Sequence, residues 1–260
     1  MPRNRKDRLA GEPYRPRRRR TTAVILAAGA GTRLGDLGHT HSKATVTVAG
    51  RPLIAWVMES LGRAAIDRIV VVGHPSDASL SAFLATMPAE VVYLLQPERL
   101  GIADALRHAL PVVERLPGYL ACACDSVFPP ADVARVVGRG RRHPGCAVVG
   151  VLAMGTAATQ ARSAVRLDGE RIVEIIEKPA AGATKSGLVA MPLYWLPRQF
   201  NRYLDRVPSL RNERHVSTAL SAFLGDGGVV HAVPVRERVE VTTREDVERA
   251  AERLPEMLRG

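Results

Sequence analysis

The sequence predicts an α/β fold: a Rossmann-like, doubly wound sheet, mostly parallel, with a mixed second part. Three observations predict it. The run Ala23–Ala28 is continuous and apolar, as a strand buried on both faces must be, and a glycine-rich turn follows it at once. Strand and helix patterns then alternate through about residue 150, the order that builds a parallel sheet. Beyond that point the rhythm changes. Ala164–Leu167 and Arg171–Ile176 flank Asp168-Gly169, a strong hairpin signal.

Each element has its own reason. Pro52 opens a helix through Ala64, with Leu53, Ile54, Val57 and Leu61 on one stripe; proline suits a first helical turn because its missing N–H would have no partner there. Arg68–Gly73 is a second buried strand. Ser76-Asp77 can cap a helix through Ala85, and Glu90–Leu95 is a third strand. Gly101–Val113 reads as a helix, Tyr119–Cys124 as a fourth strand ending at Asp125, Asp132–Arg142 as a helix and Cys146–Ala153 as a fifth strand. Later, Gly187–Leu196 and Val229–Val235 read as strands that extend the same sheet, and Glu213–Leu224 as a helix. Thr242-Thr243-Arg244-Glu245 can cap a final helix running to Met257. No internal repeat or linker interrupts residues 21–260, so they read as a single domain.

Charge is concentrated at one end. The chain of 260 residues carries 37 Lys+Arg against 26 Asp+Glu, a net charge of +11. Nine basic residues and two acids in the first twenty give that segment +7, which leaves +4 for the other 240. Residues 1–20 therefore read as a disordered basic tail, rich in Arg and Pro. A composition of 46% hydrophobic and 24% charged residues fits a globular chain. No apolar run reaches the ~18 residues that a membrane helix needs, and no apolar stretch backs the basic terminus as a secretory signal would. Three cysteines, Cys122, Cys124 and Cys146, are too few and too odd for a disulfide framework. They point to a reducing, cytoplasmic compartment. Cys122 and Cys124 read as neighbours on one face of a buried strand, without the further ligands a metal site needs.

The most informative segment is Leu26-Ala27-Ala28-Gly29-Ala30-Gly31-Thr32-Arg33, directly after the first strand. Small residues let a backbone approach a ligand closely, and successive N–H groups of such a turn can cradle phosphate oxygens. Arg33 adds a fixed positive charge with bidentate geometry. Two rival motifs fail. The Walker pattern needs Gly-Lys-Ser/Thr, which is absent, and the third glycine falls one place late for the dinucleotide fingerprint. The same segment also reads as a tight strand–loop turn with incidental glycines.

With its context this turn resembles the sugar-1-phosphate nucleotidylyltransferases, or NDP-sugar pyrophosphorylases, over roughly residues 22–255. The matching pieces are Leu26–Arg33, then Ser42-Lys43-Ala44 followed by Gly50-Arg51-Pro52, then Gln96-Pro97-Glu98-Arg99-Leu100-Gly101. Cys124-Asp125-Ser126, Glu177-Lys178-Pro179, Gly187–Tyr194 and Glu240–Val247 complete the set. Both prolines that flank the family's lysine are missing around Lys43; Pro192 stands for a Gly, Arg238 for a Trp and Glu240 for an Asp.

The resemblance implies the nucleotide-diphospho-sugar transferase version of the fold. It implies a nucleotide-binding half over about 21–150 and an acceptor half over about 151–260. It also implies a Mg²⁺-dependent transfer of a nucleotidyl group from an NTP to a sugar 1-phosphate or similar phosphorylated acceptor. The implied catalytic residues are Arg33, Lys43, Asp125 and Lys178. Leu26, Ala27, Ala28, Gly29, Gly31, Thr32, Arg33, Gln96 and Gly101 would hold the nucleotide. Glu177, Lys178, Gly187 and Tyr194 would hold the acceptor, and Asp125 and Glu240 the metal. One or two carboxylates plus phosphate oxygens suit Mg²⁺.

Other readings stay open. The segment of Gln96 and Gly101 resembles that of uridylyl- and thymidylyltransferases, which implies UTP or dTTP, while a cytidylyl- or guanylyltransferase acting on an alditol or cyclitol phosphate or on phosphocholine is the alternative. A non-catalytic nucleotide-sugar-binding protein is another. Nucleic-acid binding through Arg17–Arg20 is a weaker reading, because no aromatic interleaving accompanies those residues. The oligomeric state is not legible, and a homo-oligomer stays open.

Overall fold

The structure is a computed structural model that describes residues 20–29, 31, 34, 42–87, 91–209 and 213–259. The first described strand is β1 (Thr22–Leu26), followed by a 3-10 turn (Lys43–Thr45) and a short ribbon of β2 (Thr47–Val48) and β3 (Arg51–Pro52). Then come α1 (Leu53–Arg63), β4 (Arg68–Gly73), α2 (Ala78–Leu84), β5 (Val91–Leu95), α3 (Ile102–Val113) and β6 (Gly118–Ala123). The middle of the chain forms β7 (Ser126–Val127), α4 (Pro130–Arg142), β8 (Ala147–Ala153), α5 (Thr156–Thr159), β9 (Ser163–Asp168) and β10 (Arg171–Glu177). The last part forms β11 (Leu188–Pro197), α6 (Asn201–Leu204), α7 (Val216–Gly225), β12 (Val230–Pro234), β13 (Val239–Glu240) and α8 (Arg244–Arg259).

Strands from both parts of the chain join one nine-stranded sheet in the order β5-β4-β1-β6-β11-β8-β12-β10-β9. The first four are parallel; β11 runs against both β6 and β8, β12 is parallel to β8, and β9–β10 is the antiparallel hairpin expected around Asp168-Gly169. β1 feeds Ala23 and Ile25 into one hydrophobic core and Val24 and Leu26 into the other. This explains its unbroken apolar run: a strand covered on both faces has no solvent side. The first core takes α1, α4 and α8, and the second takes α3 and α7.

Two features position the site. The chain runs outward from β1 to β4 and β5, then returns to the other side of β1 as β6. The crevice at the carboxyl ends of β1 and β6 is therefore a topological switch point, where open α/β sheets bind ligands. Beyond β6, the two-residue β7 pairs antiparallel with β13, which sets Glu240 opposite Ser126. Nothing in the sequence pattern announced that ribbon, because two residues are too few to show a period.

Candidate active site

The glycine-rich turn begins on a buried platform. Leu26, Ala27 and Ala28 are buried, the Ala27 N–H donates to the Val72 carbonyl (2.7 Å) and the Cys124 N–H donates to that of Leu26 (3.0 Å). The main chain then emerges: Gly29 is exposed, and Gly31 has φ +65° with its open Cα 3.3 Å, as a built Cβ, from the Lys43 Cβ. A side chain at 31 would press on the stem of Lys43. Thr32 and Arg33 lie outside the described residues.

Lys43 opens its 3-10 turn from a cap. Ser42 accepts from the Ala44 N–H (3.1 Å), the Thr45 hydroxyl shares a hydrogen bond with Ser79 (2.8 Å), and Ser79 donates to Asp77 (3.0 Å), itself the cap of α2 through Leu80 N–H. Hydrogen bonds thus fix the turn, in which neither neighbour of Lys43 is a proline. From there Lys43 Nζ reaches Asp125 Oδ2 at 2.5 Å. Burial alone would push the Asp125 carboxyl up; the charges of Lys43 and Arg238, with hydrogen bonds from Lys43 and Ser126, outweigh it and hold the group below the ordinary aspartate value. Asp125 is therefore a carboxylate near neutral pH.

From Asp125 a chain of contacts crosses to the other half. Ser126 Oγ donates to Asp125 Oδ1 (2.7 Å) and accepts from Arg238 Nε (3.0 Å) and Nη2 (2.8 Å). Arg238 Nη2 lies 3.0 Å from Glu240 Oε1 and 3.9 Å from Asp125 Oδ1. Glu240 Oε2 accepts from Arg162 Nη2 (2.8 Å), and the Arg162 carbonyl accepts from the Lys178 N–H (3.1 Å). Lys178 has φ +44°, a costly conformation for a residue with a Cβ and of the kind that clusters at functional sites. Its neighbour Glu177 accepts from Ser217 (2.5 Å) and Ser163, with His215 Nδ1 3.6 Å and Lys178 Nζ 3.9 Å from its other oxygen.

Gln96, Gly101 and Gly187 make their contacts outside this chain, while Tyr194 lies within electrostatic reach of Glu177 and Arg238. Gln96 is buried, and its amide nitrogen donates inward to Asp104 Oδ2 (2.8 Å) and the Gly101 carbonyl (3.2 Å), leaving Oε1 as the amide's uncommitted atom among the described residues. Gly101 has φ +94°, and a Cβ there would stand 2.6 Å from the Arg214 backbone, so the fold itself requires this glycine. Gly187 packs against Gly155, 3.2 Å from its Cα as a built Cβ. Tyr194 is buried in the second core, and burial raises its hydroxyl pKa strongly.

Asp125 fits a magnesium ion: it is ionised, partly open and at the end of a strand, and Mg²⁺ asks for few protein ligands. Glu240 fits less well, since each of its oxygens faces a guanidinium. No three His, Cys, Asp or Glu side chains gather as a metal cage among the described residues. Sequence reasoning missed Arg162, Ser126, Ser163, Ser217 and His215. It also missed Arg99, whose Nε donates to the Ala28 carbonyl (3.2 Å) and ties the Gln96–Gly101 segment to the glycine-rich turn.

The MobA-like NTP transferase domain matches residues 23–223, which hold β1, the switch-point crevice, Asp125 and Lys178. The chain belongs to this family. Among curated proteins, members similar to it include the UTP–glucose-1-phosphate uridylyltransferase AglF of Haloferax volcanii, 29% identical over 90% of this chain and 96% of that one. The low-salt glycan biosynthesis nucleotidyltransferase Agl11 of the same organism is 27% identical over 78% of this chain, which spans only 57% of that protein's length. Among solved structures, a UDP-glucose pyrophosphorylase from Acinetobacter baumanii superposes with a TM-score of 0.77 at 23% identity, covering 89% of this chain and 92% of that one. That likeness establishes the nucleotidyltransferase fold. No helix among the described residues is long and apolar enough to cross a membrane.

Proposed function

We propose that this member of the family is a sugar-phosphate nucleotidylyltransferase: it joins an NTP to a sugar 1-phosphate, or a similar phosphorylated acceptor, to give an NDP-sugar and pyrophosphate. The observation that carries the reading is the Lys43–Asp125 contact beside the glycine-rich turn, at the crevice where the sheet changes direction. An acceptor phosphate oxygen attacks the α-phosphorus in line. The new P–O bond forms as the bond to the β-phosphate oxygen breaks, and pyrophosphate departs with that electron pair. A phosphate monoester is already ionised near neutral pH, so no general base is needed. The protein's work is to hold two polyanions together and meet their charge.

The backbone of Gly29–Arg33 and the Arg33 side chain hold the β- and γ-phosphates. Lys43 and Lys178 neutralise the α-phosphate and the attacking phosphate. Asp125 holds Mg²⁺, which when bound would polarise phosphate oxygens as a Lewis acid. In an apo protein Lys43 neutralises Asp125, so this carboxylate is not left as an uncompensated charge. Gln96 Oε1 accepts from a base N–H, which suits UTP or dTTP; that same acceptor would also serve CTP or GTP. Glu177, Gly187 and Tyr194 line or support the acceptor side, and residues 21–260 act as one domain in the cytoplasm.

The test is a pyrophosphate-release screen of the common NTPs with Mg²⁺ against sugar, alditol, cyclitol and choline phosphates. Release with UTP or dTTP and a hexose 1-phosphate is expected. Release only with CTP or GTP and a non-sugar phosphate would select the alternative, and no release with any pair would leave a non-catalytic nucleotide-sugar-binding protein.

A further inference from the structure

We infer that Arg238 and Arg162 form a guanidinium pair that receives the acceptor's phosphate, with Glu240 as the positioning residue that holds the pair and not as a ligand of the metal. The inference rests on the proposed nucleotidylyl transfer and assigns three residues within it.

The geometry around Glu240 is the starting point. Its Oε1 lies 3.0 Å from Arg238 Nη2 and its Oε2 2.8 Å from Arg162 Nη2, so each oxygen faces its own permanent cation. A magnesium ion bound here would have to approach these same oxygens to about 2.0–2.1 Å against two guanidiniums that never lose their charge. A carboxylate bracketed in this way orients guanidiniums. Asp125 is different: its Oδ2 meets a lysine, whose flexible stem and point charge can move to a phosphate, and its Oδ1 accepts from Ser126 with the Arg238 guanidinium farther off at 3.9 Å.

Arg238 is held on several sides and still has donors to offer. Its Nε and Nη2 both donate to Ser126 Oγ, Nη2 also reaches Glu240, and the side chain is 10% exposed. Nη1 makes no hydrogen bond among the described residues, so its two N–H groups remain as donors. Arg162 stands next to Lys178, whose N–H its carbonyl accepts, and Lys178 is the residue given to the acceptor phosphate. Arg238 and Arg162 thus meet through Glu240, and the main chain of Arg162 adjoins that of Lys178. The 3.9 Å from Arg238 Nη2 to Asp125 Oδ1 sets that pair beside the carboxylate given to the metal. Charge-assisted hydrogen bonds from Arg238 Nη1 and from the Arg162 guanidinium suit a dianionic monoester.

The experiment separates metal from acceptor. Mn²⁺ binding in the presence of UTP is measured by calorimetry or electron paramagnetic resonance for the unmutated chain, Glu240→Gln, Arg238→Ala and Asp125→Asn. The KM values for UTP and for glucose 1-phosphate, or for the pair selected by the screen, are measured alongside. Glu240→Gln is expected to hold Mn²⁺ within about two-fold while raising the acceptor KM about five-fold or more. Arg238→Ala should raise the acceptor KM about ten-fold or more with the NTP KM nearly unchanged, the scale of one charge-assisted contact. Asp125→Asn should lose Mn²⁺ affinity. A loss of Mn²⁺ affinity in Glu240→Gln as large as in Asp125→Asn overturns the inference alone, as does an Arg238→Ala effect confined to the NTP. If the unmutated chain neither releases pyrophosphate nor binds UTP with Mn²⁺, the proposed function falls and the inference with it. Circular dichroism melts of each variant exclude unfolding as the cause of a loss.

Discussion

Lys43 Nζ lies 2.5 Å from Asp125 Oδ2, although 82 positions separate the two residues in the chain. The contact joins the turn after the glycine-rich loop to the end of β6, the two sides of the switch-point crevice. Both side chains are largely buried, with 14% and 21% of their surface exposed, so removing one partner leaves the other charge poorly solvated.

The first prediction follows from that pairing. Lys43→Ala and Asp125→Ala should each lower turnover at least ~100-fold, the scale of losing one preorganised charge. The double variant should fall well short of the product of the two losses, because the residues act as a unit. Pyrophosphate release under saturating substrates measures all three. Near-normal turnover in purified Asp125→Ala would remove Asp125 from the mechanism.

A second prediction concerns the start of α8. Asp246 Oδ2 accepts from the N–H groups of Thr242 (2.9 Å) and Thr243 (2.8 Å) and from the Thr242 hydroxyl (2.8 Å). Burial opposes ionisation here, but these donors and Arg249 hold the carboxyl far below the ordinary aspartate value. A depressed native pKa contributes stability that is present above the unfolded value near 3.8 and is lost as pH falls toward the native one. Asp246→Ala should therefore cost about 1–2 kcal/mol in urea unfolding near pH 7. That cost should shrink in melts at about pH 3. An equal cost at both pH values would show that charge is not what the cap supplies.

The thiols give a third. Burial, aided by the nearby Asp125 charge, pushes the Cys122 thiol up to about 12 and raises Cys124 as well, while Cys146 is only half-buried and less removed from solvent. Thiolate is the reactive form. In the native protein iodoacetamide should modify Cys146 first, and Cys122 and Cys124 only after denaturant is added; peptide mass spectrometry assigns the sites. Rapid native labelling of Cys122 would mean that the end of β6 opens far more readily than its packing implies.

Much of this architecture was legible because it is local. The unbroken apolar run of β1, the stripe of α1 and the Asp168-Gly169 turn each carry their period or turn chemistry within a few residues, and the strands appear where that chemistry puts them. Asp125 was legible as a carboxylate following a buried strand. The Arg162–Glu240 and Arg238–Ser126 contacts were not, since they join residues 78 and 112 positions apart through a two-residue ribbon that has no periodic signature. Gln96 and Gly101 were legible as residues that matter, but the sequence could not tell that Asp104 holds the Gln96 amide nitrogen or that the Arg214 backbone packs against Gly101.

The last prediction sets two glycines of one helix against each other. Alanine is favoured over glycine in a helix interior by about 1 kcal/mol, and both Gly138 and Gly140 lie within α4. At Gly138 a Cβ would meet only the end of Arg142, 3.4 Å away, so Gly138→Ala should be neutral or raise stability by up to about that amount. At Gly140 the same Cβ would stand 2.1 Å from Trp195 Cδ1 and 2.2 Å from its Cγ. Trp195 has little room to turn, because Gly118 faces its ring as well, with a built Cβ 2.7 Å from Cε2. Gly140→Ala should therefore destabilise by about 1–3 kcal/mol, the range for overpacking a filled core, despite the better helix former. Paired urea titrations of the two variants read the difference directly, and a Gly140→Ala protein as stable as Gly138→Ala would show that the β11 indole does not pack against α4 as described.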